Sequence, residues 1–163
     1  MNIFYITLLS TLIADLLTKY LTVKLLLPFQ SFSLIGNFLK FTYVQNQGAA
    51  FGIFPGRQTF LIAVSIAVIA FIIWFMQNEK PRDVFWLSGL GLLLGGTLGN
   101  LYNRIFQRYV IDFIDFSFWP TFNIADIAIN VGVALIIYQI IFKAEKPRKN
   151  KKRKAKKKYN RKK

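Results

Sequence analysis

Three aspartates stand close together in the second half of the sequence, each between bulky apolar residues. Asp112 and Asp115 belong to residues 110–116, and Asp126 follows at residues 124–127. Two carboxylates that share a site of low dielectric constant cannot both ionise easily, so one of them keeps a proton near neutral pH. Such a pair offers one base and one acid, which attack of water on an amide requires. We therefore predict an aspartate dyad that contains Asp126, with Asp112 or Asp115 as its partner.

The absence of Cys and His excludes several other catalytic mechanisms. The chain has no Cys and no His, which excludes thiolate nucleophiles, His general bases and zinc sites built from Cys and His. A metal held by carboxylates and carbonyls stays possible, but no suitable acidic cluster stands out, so we predict no metal. The main catalytic rival is a serine with Lys19 as its base, and the candidates are Ser10, Ser65 and Ser88. Proton or ion translocation and a purely structural role are also open.

Composition places this chemistry in a membrane. Hydrophobic residues make up 54% of the 163 residues, and the mean hydropathy is +0.38. A helix needs about 20 mostly apolar residues to cross a bilayer. Four segments meet that requirement, and we predict an all-α integral membrane protein from them. We expect the first to be retained as a span, because it lacks a basic start and a small-residue cleavage pattern. The spans are predicted at about residues 3–27, 59–76, 84–101 and 124–142.

The charge is concentrated at the C-terminus. Residues 143–163 hold 14 Lys/Arg and one Glu, whereas the whole chain has a net charge of +15. Basic segments beside a span stay in the cytoplasm, so we expect both termini there and residues 28–58 and 102–123 outside. We predict a membrane domain at residues 1–142 and a disordered tail at residues 143–163. The tail should bind anionic lipid headgroups, and we expect no nucleic acid partner.

This topology brings polar residues from different spans to one side of the membrane. Charged groups inside spans are costly and therefore mark candidate functional sites. Asp15 and Lys19 are four residues apart, hence on one helix face, and could simply form an internal ion pair. Asn100 and Arg104 could simply cap a helix end. Asp15 and Lys19 are expected from the middle to the outer half of the membrane. The residues expected at the outer end of their spans are Asn100, Arg104, Asn123 and Asp126.

Two further patterns concern the elements around these residues. Residues 39–44 alternate between two faces, which predicts a short half-buried strand in a small sheet on the outer membrane surface. In the third span Gly91, Gly95 and Gly99 recur every four residues, with Gly96 beside them. Small residues at this spacing let helices approach closely in lipid. We interpret the stripe as a packing surface; the alternative is that it makes room for a substrate.

Five motifs in this order resemble those of the lipoprotein signal peptidases, also called signal peptidase II or prolipoprotein signal peptidases. The resemblance covers residues 15–137, which is nearly the whole membrane domain. Each motif alone is short, and the specificity comes from their order and predicted membrane level. The matching motifs are Asp15-Leu16-Leu17-Thr18-Lys19, Asn46-Gln47-Gly48-Ala49-Ala50-Phe51-Gly52, Gly95-Gly96-Thr97-Leu98-Gly99-Asn100 with Arg104, Val110-Ile111-Asp112-Phe113-Ile114 and Phe122-Asn123-Ile124-Ala125-Asp126.

The resemblance implies a fold and an activity. Members of this family have four transmembrane helices, a small outer-face β-cradle and a short interfacial helix. They are aspartic endopeptidases of the bacterial cytoplasmic membrane, inhibited by globomycin, and need no metal or organic cofactor. They remove the signal peptide before the diacylglyceryl-modified cysteine of a lipidated prolipoprotein, among membrane phospholipids near the outer leaflet. A catalytically impaired homologue that binds lipopeptides and a small proton-coupled transporter are the alternatives.

The resemblance also implies roles for individual residues. It makes Asp112 and Asp126 the catalytic pair. It assigns substrate-binding or site-supporting positions to Asp15, Lys19, Asn46, Gly48, Ala49, Asn100, Arg104 and Asn123.

The chain departs from the family pattern at three positions. Leu16 stands where Gln is usual, Asn103 where Asp is usual, and Arg108 where Gly is common. Loss of an Asp beside Arg104 could shift the pKa values of the dyad or free Arg104. Loss of the Gly could alter the turn before Asp112 if that turn needs a positive φ.

Overall fold

Four long helices form the body of the protein. The computed structural model describes residues 2–48, 56–81 and 83–143, so Ala49 and residues 144–163 of the basic tail lie outside the described residues. Each helix is long and apolar enough to cross a membrane, which confirms the prediction of four candidate spans. The third continues to Phe106, beyond its predicted end. The helices are α1 (Asn2–Leu25), α2 (Gln58–Asn78), α3 (Val84–Phe106) and α4 (Ile124–Lys143).

Helix α3 lies at the centre and contacts the other three helices. The glycine stripe makes this possible. A Cβ at Gly95 would come within 2.7 Å of the Leu8 carbonyl oxygen on α1, and one at Gly99 would collide with the Asp15 carboxylate. Gly96 points the other way, toward α4, where a Cβ would lie 2.5 Å from the Ala125 carbonyl oxygen. The stripe is therefore a packing surface, and it holds α1 and α4 against opposite sides of α3.

Gly96→Ala should destabilise the protein although alanine is the better helix former. The added methyl group meets backbone on α4, and overpacking costs about 1–3 kcal/mol, which exceeds the gain of about 1 kcal/mol in helix propensity. The free energy of unfolding in detergent should therefore fall. Ala67→Val adds bulk at an exposed position of α2 and should leave the free energy of unfolding unchanged. An equally stable Gly96→Ala protein would show that the α3–α4 contact is not tight.

A three-stranded antiparallel sheet lies at one end of the bundle. It has the order β1-β2-β3, so the predicted strand β2 is central. Thr42 and Tyr43 are both buried where the pairing with β3 shifts register, so the predicted alternation of faces fails there. Outside the four long helices, the described residues form no further helix; the short interfacial helix that the resemblance implied is not seen among them. The strands are β1 (Ser31–Ile35), β2 (Leu39–Asn46) and β3 (Val110–Phe116).

Candidate active site

Strand β3 distinguishes the two aspartates between which the sequence did not decide. Side chains alternate faces along a strand, so residues three apart point to opposite sides. Asp112 is 1% exposed and lines the same cavity as Asp126. Asp115 points away from that cavity and accepts a hydrogen bond from Thr42 Oγ1 at 3.0 Å. The geometry therefore pairs Asp126 with Asp112.

Asn123 holds the two carboxylates side by side. It precedes the first turn of α4, where its Oδ1 accepts a hydrogen bond from the Asp126 backbone N–H at 3.0 Å. The Asp126 Oδ2 in turn accepts from the Asn123 N–H at 3.3 Å, which is the reciprocal pattern of a capping box. The Asn123 Nδ2 donates to Asp112 Oδ1 at 2.6 Å. The start of α4 is thus built so that one buried asparagine orients both aspartates.

Asp112 is buried and held from both sides. Asn46, the last residue of β2, donates from Nδ2 to Asp112 Oδ2 at 2.8 Å, opposite the bond from Asn123. Burial raises the pKa of Asp112 to about 7, and the negative charge of Asp126 adds to the rise. The hydrogen bonds from Asn46 and Asn123 and the charge of Lys19 partly oppose it. The raised pKa favours a protonated Asp112 much closer to neutral pH than is usual for an aspartate.

A buried polar chain from α1 supports Asp126. Lys19 Nζ lies 2.7 Å from Asp15 Oδ2 and donates to Asn100 Oδ1 at 2.8 Å. Because the acceptor end of the Asn100 amide faces Lys19, its Nδ2 points to Asp126 Oδ1, at 2.9 Å. Asp15 Oδ1 also accepts from the Ala125 backbone N–H at 2.9 Å. The expected ion pair exists. It is connected to the Asp126 carboxylate through Asn100 and to the backbone of the preceding residue, Ala125.

Arg104 and Gly48 meet at the edge of the site. Arg104 Nη2 donates to the Gly48 carbonyl oxygen at 3.3 Å, and the Gly48 N–H donates to Asn46 Oδ1 at 2.8 Å. The guanidinium thereby links the end of α3 to the end of β2. Its Nε is buried and has no hydrogen-bond partner among the described residues.

The dyad opens into a cavity of about 410 Å³. One part of its lining consists of the polar residues of the site. The other part is a mainly apolar wall that was not predicted from the sequence. That wall is the loop between β3 and α4 together with one face of α4. The missed signals are the run Trp119-Pro120-Thr121-Phe122 and the polar pair Asp126 and Asn130, four residues apart on an apolar helix. Additional lining residues are Ile127 and Val131.

The serine candidates do not meet Lys19. Ser10 Oγ donates to the Thr7 carbonyl oxygen, and Ser65 Oγ to that of Leu61, so both hydroxyls are engaged within their own helices. Ser88 is near the start of α3, 12 residues and about 18 Å along the helix from Asn100. The structure therefore gives no support to a serine–lysine pair.

The structure shows the surroundings of the three residues that depart from the family pattern. Arg108 has φ +65°, so the turn before Asp112 does adopt the left-handed conformation that favours glycine. Leu16 and Asn103 both line a second cavity, away from the dyad. Neither Leu16 nor Asn103 lines the cavity that contains Asp112 and Asp126.

The comparisons with known proteins agree with one another. The sequence model of the Signal peptidase (SPase) II family matches residues 7–142. The lipoprotein signal peptidase of Halothermothrix orenii is 40% identical, over 82% of this chain and 91% of the relative. That of Lactobacillus johnsonii is also 40% identical, over 88% and 95%.

Two solved structures have the same fold. One, a bacterial membrane enzyme determined by the in meso method at 2.3 Å, has a TM-score of 0.84 at 30% identity and covers 91% of this chain and 93% of its own. Another, determined by the same method at 1.9 Å, has a TM-score of 0.78 at 32% identity, over 87% and 94%. The match extends through all four helices, so this multi-pass membrane protein belongs to the signal peptidase II family.

Proposed function

We propose that this chain is an intramembrane aspartic endopeptidase that removes the signal peptide from diacylglyceryl-modified prolipoproteins, cutting before the lipidated cysteine. The supporting observation is the pairing of Asp112 and Asp126 on one cavity, in a chain without Cys or His. The relatives named lipoprotein signal peptidase support the choice of substrate.

Burial raises the pKa of Asp112, and this suggests how the two aspartates divide the work. Asp126, the base, takes a proton from a water molecule, and the water oxygen attacks the carbonyl carbon of the scissile peptide bond. Asp112, the acid, donates its proton to the carbonyl oxygen as the tetrahedral intermediate forms. When the C–N bond breaks, the proton on Asp126 passes to the leaving amine. One hydroxyl proton of the intermediate returns to Asp112 as the new carboxylic acid forms, which restores the starting state of the pair. The Asn123 backbone N–H and the Asn100 Nδ2 donate to the Asp126 carboxylate and keep it oriented throughout.

The cavity suits a substrate that is itself held in lipid. Ile127 and Val131 line it and are also exposed on the surface of α4, so the cavity is continuous with the lipid-facing side of the bundle. Acyl chains of a lipidated cysteine can stay in the bilayer while the neighbouring peptide bond reaches Asp112 and Asp126. A proton-coupled transporter would instead need carboxylates spread across the membrane, whereas these two lie at one end of the bundle.

Cleavage should have a bell-shaped pH dependence. At low pH the pair holds both of its protons, so no base remains. As the pH rises through about 7, Asp112 loses its proton and the acid is lost, so the rate should fall there. The measurement is the initial rate of cleavage by the purified protein between pH 4 and pH 9. Asp115→Asn should leave the profile unchanged, and a rate independent of pH over this range would contradict the dyad.

We also propose that both termini are cytoplasmic and that the dyad lies near the outer leaflet of the bacterial cytoplasmic membrane. The basic tail motivates this orientation, and we propose that it contacts anionic headgroups rather than nucleic acid. Because the chain has no Cys, single cysteines can replace Gln47, Asn78 and Asn150. An impermeant thiol reagent added to spheroplasts should label only position 47. Labelling at 150 without labelling at 47 would reverse the orientation.

Co-expression tests the function in cells. A host depleted of its own lipoprotein signal peptidase accumulates lipidated precursor, and this chain should convert it to the smaller mature form. Globomycin should block the conversion, whereas chelators should not. Persistent precursor beside correctly inserted protein would contradict the proposed function.

A further inference from the structure

A second cavity, of about 320 Å³, lies between α1 and α3. It shares no lining residue with the active-site cavity. On the α1 side it is formed by Leu16, Lys19, Tyr20 and Val23, one continuous face of that helix. On the other side Asn103 and Gln107, at the end of α3, contribute two amide side chains.

The wall of this cavity contains a hydrogen-bonding group without a partner. Asn103 is 2% exposed, and its Nδ2 donates to Gln107 Oε1 at 3.1 Å. Its Oδ1 has no hydrogen-bond partner among the residues that the structure describes. Turning both amides around would pair the oxygen and leave the nitrogen without a partner instead. A buried polar atom without a partner is costly. This oxygen is itself enclosed, but Asn103 forms part of the cavity wall, so rotation of its amide toward the cavity would let a ligand complete the missing bond.

The cavity opens on the lipid-facing surface. Tyr20, Val23 and Tyr102 line it and are themselves exposed on helices that span the membrane. Val23 and Asn103 are two and three residues before the ends of α1 and α3, about 3 Å and 4.5 Å along the two helices, so the polar part of the cavity lies where these two spans end. Lys24 provides a positive charge beside the cavity, because its Nζ lies 5.7 Å from the centre of the ring of Tyr20, a lining residue.

We propose that this cavity binds one phospholipid of the surrounding leaflet whose headgroup is anionic and bears hydroxyls, as in phosphatidylglycerol. A headgroup hydroxyl completes the hydrogen bonding of Asn103, the phosphate lies near Lys24, and one acyl chain follows Leu16 and Val23. Lys19 forms part of the wall and bonds Asn100 on its other side, so the bound lipid also supports the residues behind the dyad.

Native mass spectrometry of the detergent-purified protein, titrated with phosphatidylglycerol, tests this inference. Wild type should bind one lipid with higher affinity than the rest. Asn103→Leu removes the amide and should weaken that site roughly five-fold, the equivalent of one hydrogen bond. Val23→Trp fills the cavity from its mouth and should abolish the site. Val64→Trp is the matched control, since Val23 and Val64 are both 44% exposed, and it should bind lipid like wild type.

Two results would overturn the inference. Equal binding by wild type and Val23→Trp would show that the cavity is not the site. Phosphatidylcholine has no headgroup hydroxyl. If it bound with the same affinity as phosphatidylglycerol, Asn103 would not select lipids by a headgroup hydroxyl. Should Asn103→Leu fail to fold, as judged by thermal unfolding, Val23→Trp and the phosphatidylcholine comparison still decide. Neither readout depends on peptidase activity, so failure of the proposed function would leave this test unaffected.

Discussion

Asp112→Asn and Asp126→Asn should each lower the rate of prolipoprotein cleavage by at least about 100-fold, because general acid–base catalysis contributes about 10²–10⁴. Asparagine has nearly the size of aspartate, but it can neither accept a proton from water nor hold the proton that the pair shares. At position 126 the amide oxygen can still accept the hydrogen bond from the Asn123 N–H, so the start of α4 should remain formed. Cleavage is measured as the conversion of lipidated precursor by equal amounts of purified protein.

Asp115→Asn is the matched control for both variants. Asp115 is on the same strand as Asp112 but on the opposite face, bonded to Thr42. We expect its rate to stay within a few-fold of wild type. Full processing by either Asp112→Asn or Asp126→Asn would exclude the dyad. Loss of activity in Asp115→Asn alone would show that the catalytic face of β3 is the one that carries Asp115.

Lys19→Met should have the largest effect on stability. Lys19 is 2% exposed, and its removal leaves the buried Asp15 carboxylate without its positive partner. Breaking a buried ion pair in this way costs about 3–5 kcal/mol. The free energy of unfolding in detergent should fall by that amount. Lys24→Met, on the exposed surface of the same helix, should cost at most about 1 kcal/mol, the value of an exposed cation–π contact.

The double variant Asp15→Asn/Lys19→Met separates stability from positioning. The amide introduced at position 15 has no charge to compensate and keeps an oxygen that can accept from the Ala125 N–H, so much of the lost stability should return. Asn100 still lacks the ammonium that fixes its amide, and Asp126 is then held less firmly. Activity should therefore remain roughly ten- to 100-fold below wild type. Recovery of both stability and activity would show that Lys19 only neutralises Asp15.

The helices could be predicted from the sequence because their signal is local. About 20 apolar residues make a span wherever they occur, and the glycine stripe identified the packing face of α3 from spacing alone. Strand β3 was missed because Val110–Phe116 is apolar on both faces except for two aspartates three residues apart, which hides the period of two. That missed strand is the reason why composition and spacing could not choose between Asp112 and Asp115.

The details of the site depend on contacts that join distant parts of the chain. Lys19 and Asn100 are 81 residues apart, and Asn46 and Asp112 are 66 apart. The topology predicted from the sequence brought polar residues to one side of the membrane. It could not show that Asn123 contacts both aspartates. Likewise the apolar wall at Trp119–Phe122 is a loop, and only its packing beside Asp126 makes it part of the cavity.

The position and lipid dependence of the cut test the central claim most directly. The purified protein is incubated with a prolipoprotein, with and without its diacylglyceryl group, and the products are identified by mass spectrometry. We expect one cut, before the lipidated cysteine, by wild type and by Asp115→Asn but not by Asp126→Asn. A cut at another bond, or equal cleavage of the unlipidated precursor, would contradict it.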